Sequence, residues 1–158
     1  MIIGVIGTSN CTSEIGNLAE EIGRGIAKAG ATLVCGGLGG VMEYACKGAK
    51  SEGGTTLGIL PGMDKNDAND YVDIPIVTGL SIARNLIIVH TADALIAVSG
   101  GYGTLSEIAF ALNVGKPVIA LHTWVLEDAG KVDDELFLRV EDPKTAVELA
   151  IKMGELKN

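Results

Sequence analysis

Residues 94–107 read ALIAVSGGYGTLSE and combine an apolar run with a glycine-rich turn. Every residue from Ala94 to Val98 is apolar, which is typical of a parallel strand buried on both faces. The glycine-rich turn at 99–104 follows directly, and a helical pattern follows the turn. A strand, a turn and a helix in this order predict one βα unit of a parallel sheet.

The same order recurs along the whole chain of 158 residues. It predicts strands at 2–7, 31–35, 55–60, 94–98, 117–121 and 136–140 and a short extended segment at 74–77, with helices at 12–29, 41–51, 80–90, 104–114 and from 142 onward. We therefore predict an α/β, Rossmann-like, doubly wound fold. Its mostly parallel sheet has about six or seven strands with helices on both faces. The length indicates a single domain over residues 1–158.

Composition argues against several classes of partner. The chain has 12 Lys and Arg against 20 Asp and Glu, a formal net charge of −8, and only 4% aromatic residues. Proteins that neutralise phosphate backbones or stack bases are normally basic and richer in aromatics, so we expect no nucleic-acid partner. No apolar run approaches about 18 residues, and the first residues lack the basic region of a signal peptide. We expect no membrane partner and a cytoplasmic protein.

Cysteine and histidine are too sparse and too scattered to indicate a scaffold or a metal centre. The three cysteines, Cys11, Cys35 and Cys46, are irregularly spaced and form no CxxC pair. His90 and His122 are 32 residues apart and belong to no ligand motif. We expect neither a disulfide framework nor a metal site, and we interpret Cys35 as a buried strand-end residue.

Two glycine-rich loops, 36–40 and 100–104, each follow a predicted strand and open a predicted helix. Glycine lets the backbone approach a ligand closely, and the helix N-terminus behind it offers unpaired N–H groups. Both loops fall at the carboxyl edge of the sheet, where such folds bind ligands. The loops predict a phosphate or nucleotide site, although glycines that only make tight turns remain an alternative.

Two common nucleotide motifs are missing. The P-loop pattern GxxxxGK[ST] is absent, and residues 7–11 read GTSNC where a dinucleotide site would have GxGxxG. The second strand ends in Cys35 rather than in an acid that could bind a ribose. Leu121, 20 residues beyond Gly101, is not an acid either. We therefore expect neither an NAD site nor an ATP-hydrolysing site.

Glu107 and Arg84 are the two charged candidates. Glu107 lies four residues after Gly103, so both share a helix face and the carboxylate is near what a bound nucleotide would present as sugar. Arg84 precedes Glu107 by 23 residues and could reach the same edge, where its guanidinium fork suits phosphate. The alternatives are a solvated glutamate in the first turns of a helix and a surface arginine.

Residues 99–107, SGGYGTLSE, closely resemble the PGGxGTxxE motif of the LOG family, the cytokinin riboside 5′-monophosphate phosphoribohydrolases once labelled lysine decarboxylases. Residues 36–42 are similar to that family's earlier glycine-rich loop ending in Gly-x-Met, and Arg84 lies where the family has a catalytic arginine. The resemblance covers roughly residues 1–121.

The resemblance implies an enzyme that hydrolyses the N-glycosidic bond of a nucleoside 5′-monophosphate to free base and ribose 5-phosphate. Glu107 would stabilise the positive charge on the sugar or orient the water, and Arg84 would hold the substrate and help the base depart. No cofactor is required, since nothing singles out a lysine for pyridoxal phosphate. The implied binding residues are Gly36, Gly37, Gly39, Gly40 and Met42 in the first loop, and Gly100, Gly101, Gly103 and Thr104 at the phosphate.

Three departures favour a different class of function. Ser99 replaces the family's proline, Asn85 the lysine after the arginine, and Ser106 a second glutamate. These features resemble a branch that includes molybdenum cofactor carrier-like proteins. That branch implies a non-catalytic binder or carrier of a nucleotide or a molybdopterin-type cofactor. A third hypothesis is a domain that serves assembly: the family resembles homodimers built around the apolar run 86–89, so we expect a homodimer or higher homo-oligomer.

Overall fold

In a computed structural model of the chain, the structure describes residues 1–126 and 135–156. These residues form seven strands: β1 (Ile2–Gly7), β2 (Thr32–Cys35), β3 (Thr56–Leu60), β4 (Ile74–Val77), β5 (Ala94–Val98), β6 (Val118–Leu121) and β7 (Phe137–Val140). They also form five α-helices: α1 (Ser13–Lys28), α2 (Val41–Ser51), α3 (Asn85–Thr91), α4 (Tyr102–Asn113) and α5 (Pro143–Glu155).

The seven strands make one sheet in the order β4-β3-β2-β1-β5-β6-β7, and every neighbouring pair is parallel. Helices α1, α2 and α5 pack on one face, and α3 and α4 on the other. Alternate residues of β1 point to opposite faces: Ile3 and Val5 belong to the core under α1, and Ile6 to the core under α3. The predicted doubly wound Rossmann-like fold is confirmed.

The sheet reverses its winding at β1. Strand β1 pairs with β2 on one side and with β5 on the other, so the chain moves outward in one direction and then returns to the centre. Gly7 and Val98, the last residues of β1 and β5, lie opposite each other. The loops that leave these two strands diverge, and the crevice between them is where an open α/β sheet binds ligands.

The predicted helix starts of α1 and α5 are confirmed. The Thr12 side chain accepts a hydrogen bond from the Ile15 N–H, and the Asp142 side chain accepts one from the Thr145 N–H. Pro143 occupies the first turn of α5, where its missing N–H has no cost.

The predicted helix over 80–90 is divided in the structure. Residues Ser81–Arg84 form a 3₁₀ turn, and the α-helix begins only at Asn85. The run 86–89 is not buried all round, because Ile88 and Val89 are fully buried whereas Leu86 is 37% exposed. The sequence also predicts a loop at 122–134, which lies partly outside the described residues.

The polar segment 63–72, which the sequence offers as a candidate mobile loop, makes specific contacts. It contains a 3₁₀ turn at Lys65–Asp67. The backbone N–H of Asn69 donates to the Gly37 carbonyl at 2.8 Å, and its side-chain amide donates to the Leu38 carbonyl at 2.9 Å. These bonds tie the segment to the first glycine loop. Among residues 1–126 and 135–156, no helix has the length and apolarity needed to cross a membrane.

Helices α1 and α2 approach each other through glycines. A Cβ added at Gly23 would lie 1.9 Å from the Ala45 carbonyl oxygen, and one added at Gly48 would lie 2.0 Å from the Glu20 carbonyl oxygen. Only glycine allows the two backbones to come this close. The position of α2, which carries the first glycine loop at its N-terminus, therefore depends on this contact.

We expect Gly23→Ala to lower the free energy of unfolding by about 1–3 kcal/mol, because the new methyl group meets backbone that can move only if the helices separate. Gly25→Ala is the matched control in the same helix, since its Cβ would meet a Val147 side-chain methyl at 3.0 Å. There, the gain of helix propensity, about 1 kcal/mol, offsets the closer contact. Urea denaturation measures both variants, and equal stabilities would contradict the glycine contact.

Candidate functional site

A cavity of about 370 Å³ lies at the carboxyl edge of the sheet, beside the point where the winding reverses. This volume is within the range of small-molecule sites, about 300–1,000 Å³. Its walls come from the end of β1, from the segments that follow β1, β2, β3 and β4, and from the N-terminal turns of α4. The lining residues are Val5, Ile6, Gly7, Thr8, Ser9, Gly36, Leu38, Met42, Pro61, Ser81, Ile82, Arg84, Asn85, Gly101, Gly103, Thr104 and Glu107.

Seven of the residues predicted from the sequence line this cavity: Gly36, Met42, Arg84, Gly101, Gly103, Thr104 and Glu107. Four others do not line it and instead shape the two loops: Gly37, Gly39, Gly40 and Gly100. Gly40 has φ 65°, and a Cβ there would lie 2.4 Å from the Thr8 carbonyl oxygen. The functional roles of all eleven stay predictions.

Arg84 is buried, contrary to the alternative of a surface arginine. It is 8% exposed, and its Nε and Nη1 have no hydrogen-bond partner among the residues the structure describes. A Cβ added at Gly36 would lie 2.1 Å from Nη1, so the guanidinium rests directly on the Gly36 backbone. Burial lowers the pKa of Arg84, and the nearby Glu107 opposes this shift. A buried cation with unpartnered donors is a natural partner for an anion.

Glu107 is also buried, at 7% exposure, which rules out the alternative of a solvated glutamate. Burial raises the pKa of its carboxyl to about 8, although the positive charge of Arg84 acts in the opposite direction. At neutral pH the cavity therefore holds a mainly protonated carboxyl group. In that state Glu107 can donate a hydrogen bond as well as accept one.

The N-terminus of α4 faces the cavity as a set of backbone donors. No side chain in the described ranges caps this helix, whose N-cap residue is Gly101. A Cβ added at Gly101 or Gly103 would have no neighbour within 4 Å, so both positions border open space. Thr104, 3% exposed, completes this first turn. Uncapped N–H groups at a helix N-terminus bind phosphate well.

Two of the departures from the LOG motif contact each other. The Ser106 hydroxyl donates to the Gly103 carbonyl at 2.6 Å, and the Asn85 amide nitrogen donates to the Ser106 oxygen at 3.4 Å. Because the hydroxyl proton is already used, the serine oxygen can only accept, which sets the orientation of the Asn85 amide. A neutral hydrogen-bonded chain therefore connects the start of α3 to the first turn of α4.

Several cavity residues were not singled out from the sequence: Thr8, Ser9, Leu38, Pro61, Ser81 and Ile82. Thr8 and Ser9 follow β1 directly, and the position of β1 at the centre of the sheet was the signal that could have revealed them. Ser81 has φ 51°, a conformation that non-glycine residues rarely adopt and that concentrates at functional sites. No sequence pattern indicates that conformation.

Three other residues that could reach this edge of the sheet do not line the cavity. Cys35 is fully buried, as predicted, and His122 and Trp124 lie outside the lining. The Trp124 indole N–H donates to the Gly101 carbonyl at 3.1 Å, and its ring contacts that of Tyr102 with centroids 5.9 Å apart. Within the described part of the chain, no group of three or more His, Cys, Asp or Glu side chains could hold a metal ion.

The chain is similar in sequence and structure to several known proteins. The family described as SLOG cluster4 matches residues 1–153. The structure of the molybdenum cofactor binding protein from Rippkaea orientalis is 39% identical, covers 96% of both chains and has a TM-score of 0.87. The molybdenum cofactor carrier protein from Chlamydomonas reinhardtii is 40% identical, covers 99% of this chain and 98% of its own, and has a TM-score of 0.87.

The chain is also similar in sequence to a protein that is not named for the molybdenum cofactor. The cytokinin riboside 5′-monophosphate phosphoribohydrolase of Mycobacterium tuberculosis is 36% identical over 122 residues. The match covers 71% of this chain and 65% of the relative, so the chain spans less than two thirds of that protein's length.

The raised pKa of Glu107 predicts a specific dependence of stability on pH. The folded protein holds the proton up to about pH 8, whereas an ordinary glutamate loses it near 4.5. The contribution of Glu107 to stability is therefore fully present below about pH 4.5 and is lost as the pH rises toward 8. The slope is up to about 1.4 kcal/mol per pH unit.

Urea denaturation of the wild type and of Glu107→Gln between pH 5 and pH 9 measures this dependence. We expect the free energy of unfolding of the wild type to fall relative to that of Glu107→Gln up to about pH 8. Above that pH the difference between the two proteins should stay constant. A constant difference across the whole range would show that Glu107 titrates normally.

Proposed function

The chain belongs to the SLOG cluster4 family, and we propose that it binds a phosphorylated small molecule in this cavity and carries it without turnover. The ligand class that we favour is a phosphorylated pterin of the molybdopterin type. Its phosphate would lie between the N-terminus of α4 and Arg84, and its ring would extend toward the apolar part of the lining.

One observation carries the proposal: the buried guanidinium of Arg84 has two nitrogens without partners next to an uncapped helix N-terminus. Leaving such donors unpaired is costly, and the surrounding protein supplies no acceptor for them within the described ranges. A phosphate would accept hydrogen bonds from both the guanidinium and the backbone of 102–104. These donors suit the cavity to an anion.

Two further observations favour carriage over catalysis. Glu107 is mainly protonated at neutral pH, and a neutral carboxyl cannot stabilise a developing positive charge on a sugar. The likeness to the molybdenum cofactor binding and carrier proteins extends over nearly the whole length of both partners. The likeness to the curated phosphoribohydrolase is partial.

Titration calorimetry with a phosphorylated pterin, its dephosphorylated form and adenosine 5′-monophosphate tests the proposal. We expect the phosphate-bearing probes to bind. Arg84→Ala should weaken their binding about 10- to 100-fold, because it removes hydrogen bonds from a charged group. Gly36→Ala should act in the same direction, because its methyl group displaces the guanidinium.

Arg139→Ala is the matched control, since it removes the same charge from an exposed position on β7 outside the cavity. It should bind like the wild type. Equal binding of the phosphorylated and dephosphorylated pterins, or an Arg84→Ala variant that binds normally, would rule out the phosphate cradle.

Hydrolysis of a nucleoside 5′-monophosphate is the second candidate. It is favoured by the presence of Arg84 and Glu107 in one cavity, where the charge of the arginine acts to lower the pKa of the carboxyl. It is also favoured by the name of the mycobacterial relative. In this case ionised Glu107 would stabilise the sugar cation, and Arg84 would hold the substrate.

The pH dependence of base release separates the two candidates. If Glu107 acts as a carboxylate, release of free base from a panel of nucleoside 5′-monophosphates should rise about tenfold per pH unit below pH 8 and level off above it. Glu107→Gln should then abolish release but spare binding. If no free base is released at pH 9 while the phosphorylated pterin binds measurably, hydrolysis is excluded and carriage is supported.

A further inference from the structure

Two buried cysteines lie side by side behind the cavity. Cys35 ends β2, Cys46 is on α2, and both have no exposed surface. Their Sγ atoms are 3.5 Å apart, in mutual hydrogen-bond contact. A disulfide has its sulfurs about 2.05 Å apart, so a further approach of about 1.5 Å would allow the bond to form.

The two thiols are not equivalent. The backbone N–H of Gly37 donates to the Cys35 sulfur at 3.3 Å, whereas in the contact between the two sulfurs either thiol can be the donor. The hydrogen bond with Cys46, that from Gly37 and the charge of Arg84 lower the pKa of Cys35 against the opposing effects of burial and of Glu107. The pKa of Cys46 is raised by its hydrogen bond to Cys35 and by burial. The pair thus places a thiol of lowered pKa in contact with a second thiol, and an intramolecular disulfide needs two thiols in such contact.

Cys35 is also coupled to the candidate site through the backbone. The next residue, Gly36, lines the cavity and supports the Arg84 guanidinium. Gly37, whose N–H binds the Cys35 sulfur, has φ 74° and sits tightly against Gly58. The cavity gives a small oxidant a route to within one residue of Cys35.

We propose that Cys35 and Cys46 form a reversible intramolecular disulfide whose formation weakens anion binding in the cavity. With hydrogen peroxide as the oxidant, the Cys35 sulfur attacks one peroxide oxygen and becomes a sulfenic acid, and one water leaves. The Cys46 sulfur then attacks the Cys35 sulfur, the S–S bond forms, and a second water leaves. The two cysteines lose two electrons, and the peroxide gains them.

The effect on the cavity follows from the direction of the movement. The Cys35 sulfur moves toward α2, so the buried N–H of Gly37 loses its acceptor and the turn must rearrange. Gly36 belongs to the same turn and holds the guanidinium of Arg84. The disulfide therefore displaces the main cationic group of the site. This second part of the proposal depends on the proposed function, whereas the bond itself does not.

Mass spectrometry of the full chain after peroxide treatment tests the bond. We expect the loss of two hydrogen atoms, a peptide pair that links Cys35 to Cys46, and reversal by dithiothreitol, with Cys11 still open to alkylation. Cys11→Ser should behave like the wild type, and Cys46→Ser should form no internal link. Recovery of all three cysteines as free thiols, or a link that involves Cys11, overturns the proposal.

Calorimetry with adenosine 5′-monophosphate tests the consequence. Oxidised Cys11→Ser protein should bind about tenfold more weakly than the same protein after reduction, and Cys46→Ser should show no such difference. Equal binding by the linked and reduced forms overturns the coupling to the cavity. If the reduced protein binds no phosphorylated probe at all, the proposed function fails, while the mass measurement still decides whether the disulfide forms.

Discussion

The site depends on one buried charge. The guanidinium of Arg84 lies directly against the backbone of Gly36, and two of its nitrogens have no partner in the described structure. Holding it there requires a residue without a side chain at the end of β2 and a 3₁₀ turn that brings the arginine inward. A buried cation without acceptors is tolerated only where another requirement outweighs its cost, and binding of an anion is such a requirement.

The protonation of Glu107 depends in part on the charge of Arg84. Burial raises the pKa of Glu107 to about 8, and without Arg84 nearby the shift would be larger. A negatively charged ligand that pairs with the arginine would remove part of that support and favour the protonated carboxyl further. The occupied site would then hold a neutral acid, which suits recognition by hydrogen bonding better than stabilisation of a cation.

The chain is similar both to a curated phosphoribohydrolase and to a molybdenum cofactor binding protein. Its departures from the LOG motif lie in the network beside the cavity. Here Asn85 and Ser106 form a neutral chain to the Gly103 carbonyl, where the LOG motif has charged residues. These neutral contacts link the start of α3 to the first turn of α4.

The sequence by itself determined the order of strands and helices and the position of both glycine loops. Apolar runs such as Ala94–Val98 and caps such as Asp142 are local signals, and their spacing leaves few topologies open. The sequence predicted the residues that line the cavity less completely. Gly100 was predicted but shapes its loop without lining the cavity, and Thr8 lines the cavity although it belongs to no motif.

Only the tertiary structure decided the burial of Arg84 and Glu107, the break between Ser81–Arg84 and α3, and the contact of Cys35 with Cys46. Each of these depends on distances between segments far apart in the chain. Burial, and with it the protonation of a carboxyl or the reactivity of a thiol, is a property of the packed surroundings. Local sequence does not encode it, because neighbours in the chain contribute only part of those surroundings.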